Sequence, residues 1–219
     1  ETRFPVYVDK ADAQAFVLTI EPDPDPDPAP NDTHLLAGDF KGKRARLNTG
    51  HPAALGDKFV KARGAYILAA PSGGSLGTPY TQGIWWLNPA GGPSLDLPTL
   101  PAGWVYEGWV VGADGPVSTG TFTAVDAADS DGAGATGGPD AAPPFPGQDF
   151  VDPPTDLTAG YTAVISIEPY PDNSPAPFTL KPLVDSIDDT GAPGILQKMT
   201  NNARSSFPTG VAQLHKAER

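Results

Sequence analysis

One stretch of this chain occurs twice, and it limits what the chain can fold into. The later copy reads Tyr161-Thr-Ala-Val-Ile-Ser-Ile-Glu168-Pro-Tyr-Pro-Asp172, the earlier one Phe16-Val-Leu-Thr-Ile-Glu21-Pro-Asp-Pro-Asp25. Laid together, residues 16–25 and 163–172 match at Val17/Val164, Ile20/Ile167, Glu21/Glu168, Pro22/Pro169, Pro24/Pro171 and Asp25/Asp172. Each copy is an apolar, β-branched run halted at Glu-Pro. Proline has no N–H for a sheet ladder, so a strand is expected to stop there. The repeat points to two related β units, each built around one of these strands. Residues 15–21 are apolar at nearly every position, so that strand is expected to be covered on both faces.

The remaining apolar residues also fall in short runs. Strands are expected over residues 3–8, 34–40, 65–70, 84–87 and 104–111. The last of these turns at Gly112-Ala-Asp-Gly115 and returns over 116–124, a hairpin whose turn is longer than the tightest type. A further return strand covers 178–187 and is broken by Pro182, which suits an edge or a bulge. With 25 glycines and 27 prolines between the runs, the fold class is all-β: a β-sandwich, Ig-like or related, with long Pro/Gly-rich loops. Residues 1–190 form the sandwich, 126–160 an acidic loop insert, and 191–219 an extended C-terminal tail read as an inter-subunit segment.

Charge is unevenly distributed. The net charge of −12 repels phosphate, so nucleic acid is excluded as a bulk partner. Seven bases (Lys41, Lys43, Arg44, Arg46, Lys58, Lys61, Arg63) lie in 41–63 against the single acid Asp57. That segregation reads either as a docking face or as a solvated loop. The insert 126–160 has seven acids and no base. Within it Asp129-Ser-Asp131-Gly132 resembles part of a calcium loop without its later ligands, which makes Asp129 and Asp131 weak calcium candidates. Pro22-Asp-Pro-Asp-Pro-Asp-Pro28 is expected to be a stiff polyproline strut, either a cation-binding comb or a solvated loop. Asn31-Asp-Thr33 is a glycosylation-type sequon.

Cysteine is absent, which excludes disulfides, thiol catalysis and zinc–thiolate sites. No run approaches the roughly 18 apolar residues of a membrane helix. The chain starts at Glu1-Thr-Arg-Phe without a signal peptide, as a processed secreted protein would. His34, His51 and His215 lack metal-ligand spacing, and no nucleophile elbow, Walker loop or His-Glu-x-x-His is present. Glu21 and Glu168 are equivalent by repeat. They read as strand-ending acceptors for the loop that follows, in preference to an acid/base pair. Trp85, Trp86, Trp104 and Trp109 read as core or interface residues, or as a sugar-binding platform. Trp85 and Trp86 are adjacent and should face opposite sides of a strand, one in the core and the other exposed, or covered by a partner or a crossing loop.

Four segments resemble, in order, the C-terminal extracytoplasmic domain of anti-sigma-K factors: Tyr106-Glu-Gly-Trp109-Val-Val, Gly115-Pro-Val-Ser-Thr-Gly-Thr-Phe122, Val164-Ile-Ser-Ile-Glu-Pro169 and Ser174-Pro-Ala-Pro177. The match spans about residues 100–185. It implies an extracytoplasmic β-sandwich that is not an enzyme.

Together these features suggest a non-enzymatic, extracellular or periplasmic prokaryotic protein whose partner is another copy of itself. Head-to-tail contact through the terminal segments would build a filament. Arg3, Phe4, Trp85, Trp86, Phe207, Val211 and Leu214 are the candidate interface residues. The alternatives are an outer sensor domain of an anti-sigma regulator and a carbohydrate-binding module. No cofactor is expected beyond the calcium candidates.

Overall fold

The computed structural model describes residues 5–6, 12–25, 27–171 and 174–215. Strand makes up 36% and helix 6%, so the protein is all-β, with antiparallel, sandwich-like sheets. The strands are β1 (Ala15–Thr19), β2 (His34–Lys41), β3 (Arg44–Asn48), β4 (Arg63–Leu68), β5 (Gly83–Trp85), β6 (Leu95–Asp96), β7 (Trp104–Gly112), β8 (Gly115–Phe122), β9 (Gly147–Asp149), β10 (Thr162–Pro169), β11 (Leu183–Ser186), β12 (Gln197–Lys198), β13 (Thr200–Asn201) and β14 (Thr209–Gln213). The chain divides into two compact units, one made of residues 1–57 and 208–219 and the other of residues 58–207.

In the larger unit β10 is the central strand. It pairs with β7 over eight positions, from Thr162↔Val111 to Pro169↔Trp104, and with β11 on its other side. The full sheet runs β13-β11-β10-β7-β8. Residues 163–168 are all buried, so the near-continuous apolar run of this repeat copy matches its two-sided burial. Three of the four segments that resemble the anti-sigma-K domain lie on neighbouring strands, β10, β7 and β8; the fourth, residues 174–177, lies in the loop between β10 and β11. A second sheet runs β12-β4-β5-β9, with β6 also pairing β4.

Trp85 and Trp86 are both fully buried in this unit. The second indole is therefore neither exposed nor left for a partner to cover; the chain itself covers it. Gly108 explains how the second indole is housed. A Cβ there would lie 2.7 Å from the Trp86 ring and 2.3 Å from Thr119 Oγ1, so the missing side chain makes room for the indole against β7. The β7–β8 ladder is irregular at this point, between Glu107 and Trp109. The hairpin turn is also tighter than expected. Gly112 and Gly115 pair with each other, which leaves only Ala113 and Asp114 as the loop.

The smaller unit is one antiparallel sheet ordered β1-β2-β3-β14. Here the first repeat copy departs from expectation. β1 is an edge strand with Val17 37% and Leu18 43% exposed. Its apolar sequence matches β10, but among the described residues no strand pairs with its outer side.

The tail is not an appendage. It supplies β12, β13 and the short helix α1 (Ala203–Ser206) to the larger unit, then β14 to the smaller one. Asn201 Nδ2 donates to the carbonyls of Phe59 (2.7 Å) and Ala62 (2.8 Å), and the Phe207 ring lies 5.3 Å from that of Phe59. β13 pairs with β11, so it occupies the edge that Pro182 was expected to mark. Pro182 itself precedes β11.

Candidate functional site

The two edges of the small sheet are the features most open to a partner. β14 pairs with β3 from Thr209↔Asn48 to Gln213↔Arg44. Leu214 N–H donates to Lys43 O, so by the period of two Gly210 and Ala212 bond inward to β3. Thr209, Val211 and Gln213 then turn their N–H and C=O groups outward. On β1, Gln14 O accepts from Phe40 N–H, so Phe16 and Leu18 bond inward and Ala15 and Val17 outward. Side chains directly opposite across a ladder share a face. Following the registers across the sheet, Phe16 and Leu18 share one face with Ala45, Leu47, Gly210 and Ala212. Val17 shares the other with Arg44, Arg46 and Val211.

The candidate interface residues are scattered. Val211 lies on the β14 edge, 50% exposed, and Leu214 follows the same strand. Phe207 is half-buried and packs on Phe59 in the larger unit, whereas Trp85 and Trp86 are in its core, so burial removes the two tryptophans from a docking face. Arg3 and Phe4 lie outside the described residues. The basic segment is divided, with Lys41, Lys43, Arg44 and Arg46 on the small sheet and Lys58, Lys61 and Arg63 on the larger unit; all seven are exposed.

The repeat carries a shared turn that the sequence only hinted at. Ile20 N–H donates to Thr33 O (2.9 Å), and Ile167 N–H to Leu180 O (2.8 Å), in each case thirteen residues further on. Glu21 accepts from Asn31 N–H at 3.3 Å, and Glu168 from Phe178 N–H at 2.8 Å, each ten residues further on. The peptides before Pro24 and Pro171 are both cis. Both glutamates therefore act as strand-ending acceptors for the following loop. In the buried copy a chain of bonds continues from Trp109 Nε1–H to Ser166 Oγ (2.8 Å) and from that hydroxyl to Glu168.

Of the seven acids of the insert, Asp149 is buried, Asp129 and Asp140 are half-buried, and Asp126, Asp131, Asp152 and Asp156 are exposed. Asp149 is fully buried. Its Oδ2 accepts from Ser72 N–H (2.7 Å) and Oγ–H (2.6 Å), and its Oδ1 from Trp85 Nε1–H (2.7 Å). Burial pushes its pKa up, opposed by these bonds. Asp140 accepts from Ser75 N–H at 2.6 Å. Asp129 accepts from Gly132 N–H (2.9 Å) and Gly147 N–H (2.8 Å), so each oxygen of this calcium candidate already holds a backbone donor. Asp131 lies beside it. Gly120, at φ +97°, leaves room for both, since a Cβ there would stand 2.2 Å from Asp131 Oδ1. Among the described residues no three or more His, Asp or Glu side chains gather to hold a metal ion. None of the described helices is long and apolar enough to cross a membrane.

Burial pushes the Asp129 carboxyl up to about 7, against the pull of the Gly147 N–H and with help from the charge of Asp131. Between the unfolded value near 3.8 and about 7, the folded protein holds a proton that the unfolded chain has released. Stability falls with rising pH across that window. The tryptophan-fluorescence melting point is expected to drop between pH 5 and pH 8. Asp129→Asn should flatten that slope, and an unchanged slope would contradict the assignment.

All four tryptophans are buried in the larger unit, so they form no exposed sugar platform. A groove of about 480 Å³ beside them is lined by Trp104, Phe122, Asp129, Ser130 and Tyr170 among others.

Comparison with known proteins returns no match. Family models, curated proteins and solved structures were all compared.

Proposed function

We propose that the protein is a non-enzymatic structural subunit of the prokaryotic cell exterior that assembles with copies of itself through the unit built from its two chain ends. The observation that carries this reading is the open, apolar edge strand β1, with Val17 and Leu18 exposed. Natural sheets usually protect such edges with charge, proline or a bulge, because an exposed apolar edge recruits another strand. β1 has one irregularity, between Leu18 and Thr19, and no charged residue. The buried carboxylates are taken up as acceptors for backbone and indole donors, which supports a scaffold role for them.

Deleting 191–219 would be a poor test, because it removes β12, β13 and β14 and with them parts of both units. The intact chain is the right material. Negative-stain microscopy with light scattering should show filaments or regular multimers. A persistent monomer of 22.7 kDa across a wide concentration range would overturn the proposal. That outcome would favour the sensor reading, which draws on the three neighbouring strands β10, β7 and β8.

A further inference from the structure

We infer that the small sheet is continued from copy to copy, with β14 of one molecule pairing antiparallel to β1 of the next. This deepens the self-assembly reading and rests on it. Four observations converge on the same pairing. First, strand direction fits. In an antiparallel sheet of four strands the two edges run in opposite directions, so a copy displaced within the sheet plane places β14 antiparallel to the neighbouring β1. A heterologous contact of this kind repeats without closing.

Second, length and hydrogen bonding fit. Both strands have five residues. In the register that overlaps them fully, Val211 faces Val17 of the next copy, Thr209 faces Thr19 and Gln213 faces Ala15. Val211 and Val17 are both residues whose backbone groups point outward, so they form a hydrogen-bonded pair without disturbing either existing ladder. Third, the faces agree. In this register Gly210 lies opposite Leu18, and Ala212 opposite Phe16, small beside large on one face. The two exposed valines meet on the other.

Fourth, charge favours this arrangement over pairing β1 with β1. Residues 12–32, which contain β1, carry Asp12, Glu21, Asp23, Asp25, Asp27 and Asp32 and no base. The segment 41–46, beside β14, carries Lys41, Lys43, Arg44 and Arg46 and no acid. Pairing β1 antiparallel with β1 would set Asp12 of one copy beside the acidic 21–32 segment of the other. Pairing β14 with β1 instead sets Asp12 at the end of the sheet where Lys41, Lys43 and Arg44 lie, while the acids of 21–32 stay at the other end, beyond Thr19.

Because the chain has no cysteine, cross-linking gives a clean test. Val17 and Val211 are exposed, so Val17→Cys and Val211→Cys should leave the fold intact, which far-UV circular dichroism checks. Within one chain the two sites are three strand spacings apart, about 14 Å, too far for a disulfide. Between paired copies their Cα atoms would lie at about 5.5 Å, within disulfide range.

Mild oxidation of the assembled double variant should give a ladder of species beyond dimer. The two single variants mixed should give dimers alone, and each by itself should give none. Val211→Pro removes one outward N–H and should abolish assembly. Raising salt from about 0.05 M to about 0.5 M should weaken assembly through screening. Cross-linking within either single variant would overturn the inference in favour of like-edge pairing. Assemblies in which the double variant stays uncross-linked and Val211→Pro assembles normally would overturn the edge pairing while leaving self-assembly standing. Absence of any assembly by the unmodified chain would remove both.

Discussion

Asp149→Ala is expected to destabilise the larger unit by about 3 kcal/mol or more. The carboxylate is fully buried and accepts from Ser72 N–H, Ser72 Oγ–H and Trp85 Nε1–H. A buried donor left without an acceptor costs about 1–3 kcal/mol. Alanine orphans three donors at once and adds a small cavity. The costs do not sum in full, because the Ser72 hydroxyl can rotate, and Ser72 Oγ also accepts from Gly138 N–H. Asp149→Asn should cost less, since an amide oxygen still serves one side while its NH2 group opposes the donors on the other. All four tryptophans belong to this unit, so urea unfolding followed by their fluorescence reads it selectively. With a typical slope of about 1–3 kcal/mol per molar urea, the midpoint should fall by about 1 M or more. A shift within error would mean that the insert is not held to the body by this carboxylate.

The second large effect is a contrast between repeat partners. Glu168→Ala is expected to cost about 2–4 kcal/mol, whereas Glu21→Ala should cost about 1 kcal/mol or less. Both residues accept the N–H ten residues further on, but their surroundings differ. Glu168 has no exposed surface and also anchors the chain that runs through Ser166 to Trp109. Glu21 is only part-buried, its two contacts with Asn31 N–H are long at 3.3 Å, and water can replace it. Fluorescence-detected unfolding should shift strongly for the first variant and not at all for the second. The effect of the second belongs to the smaller unit and is read by amide hydrogen exchange in β1 and β2. Equal effects in the two would show that the shared turn, and not burial, sets the energy.

Much of the local structure was legible in the sequence because it follows from local chemistry. β10 ends at Pro169 and β1 stops at Thr19, just before Glu21-Pro22, and the glutamates take the acceptor role expected of them. The hairpin from Trp104 to Phe122 formed where alternating apolar and aromatic residues flank a Gly-containing turn, although the turn proved shorter. The basic run of 41–63 and the acidic run of 126–160 were also plain in the sequence.

What lay beyond the sequence is which neighbours each strand acquires. Two copies of one strand pattern ended in opposite settings. β10 is enclosed between β7 and β11, recruited from roughly sixty residues before and twenty after. Among the described residues β1 has only β2 beside it. Burial is a property of the partner surface as much as of the strand, so an apolar run cannot announce by itself whether it will be central or left at an edge. The same holds for the carboxylates. Asp149 and Asp129 read as part of an acidic surface until Ser72, Trp85, Gly147 and Gly132 converge on them from distant or looped positions. Pattern along the chain decided where strands and turns form. Tertiary structure alone decided that the last strand, β14, joins the first three, and so that this sheet has two edge strands of equal length, unpaired on their outer sides among the described residues.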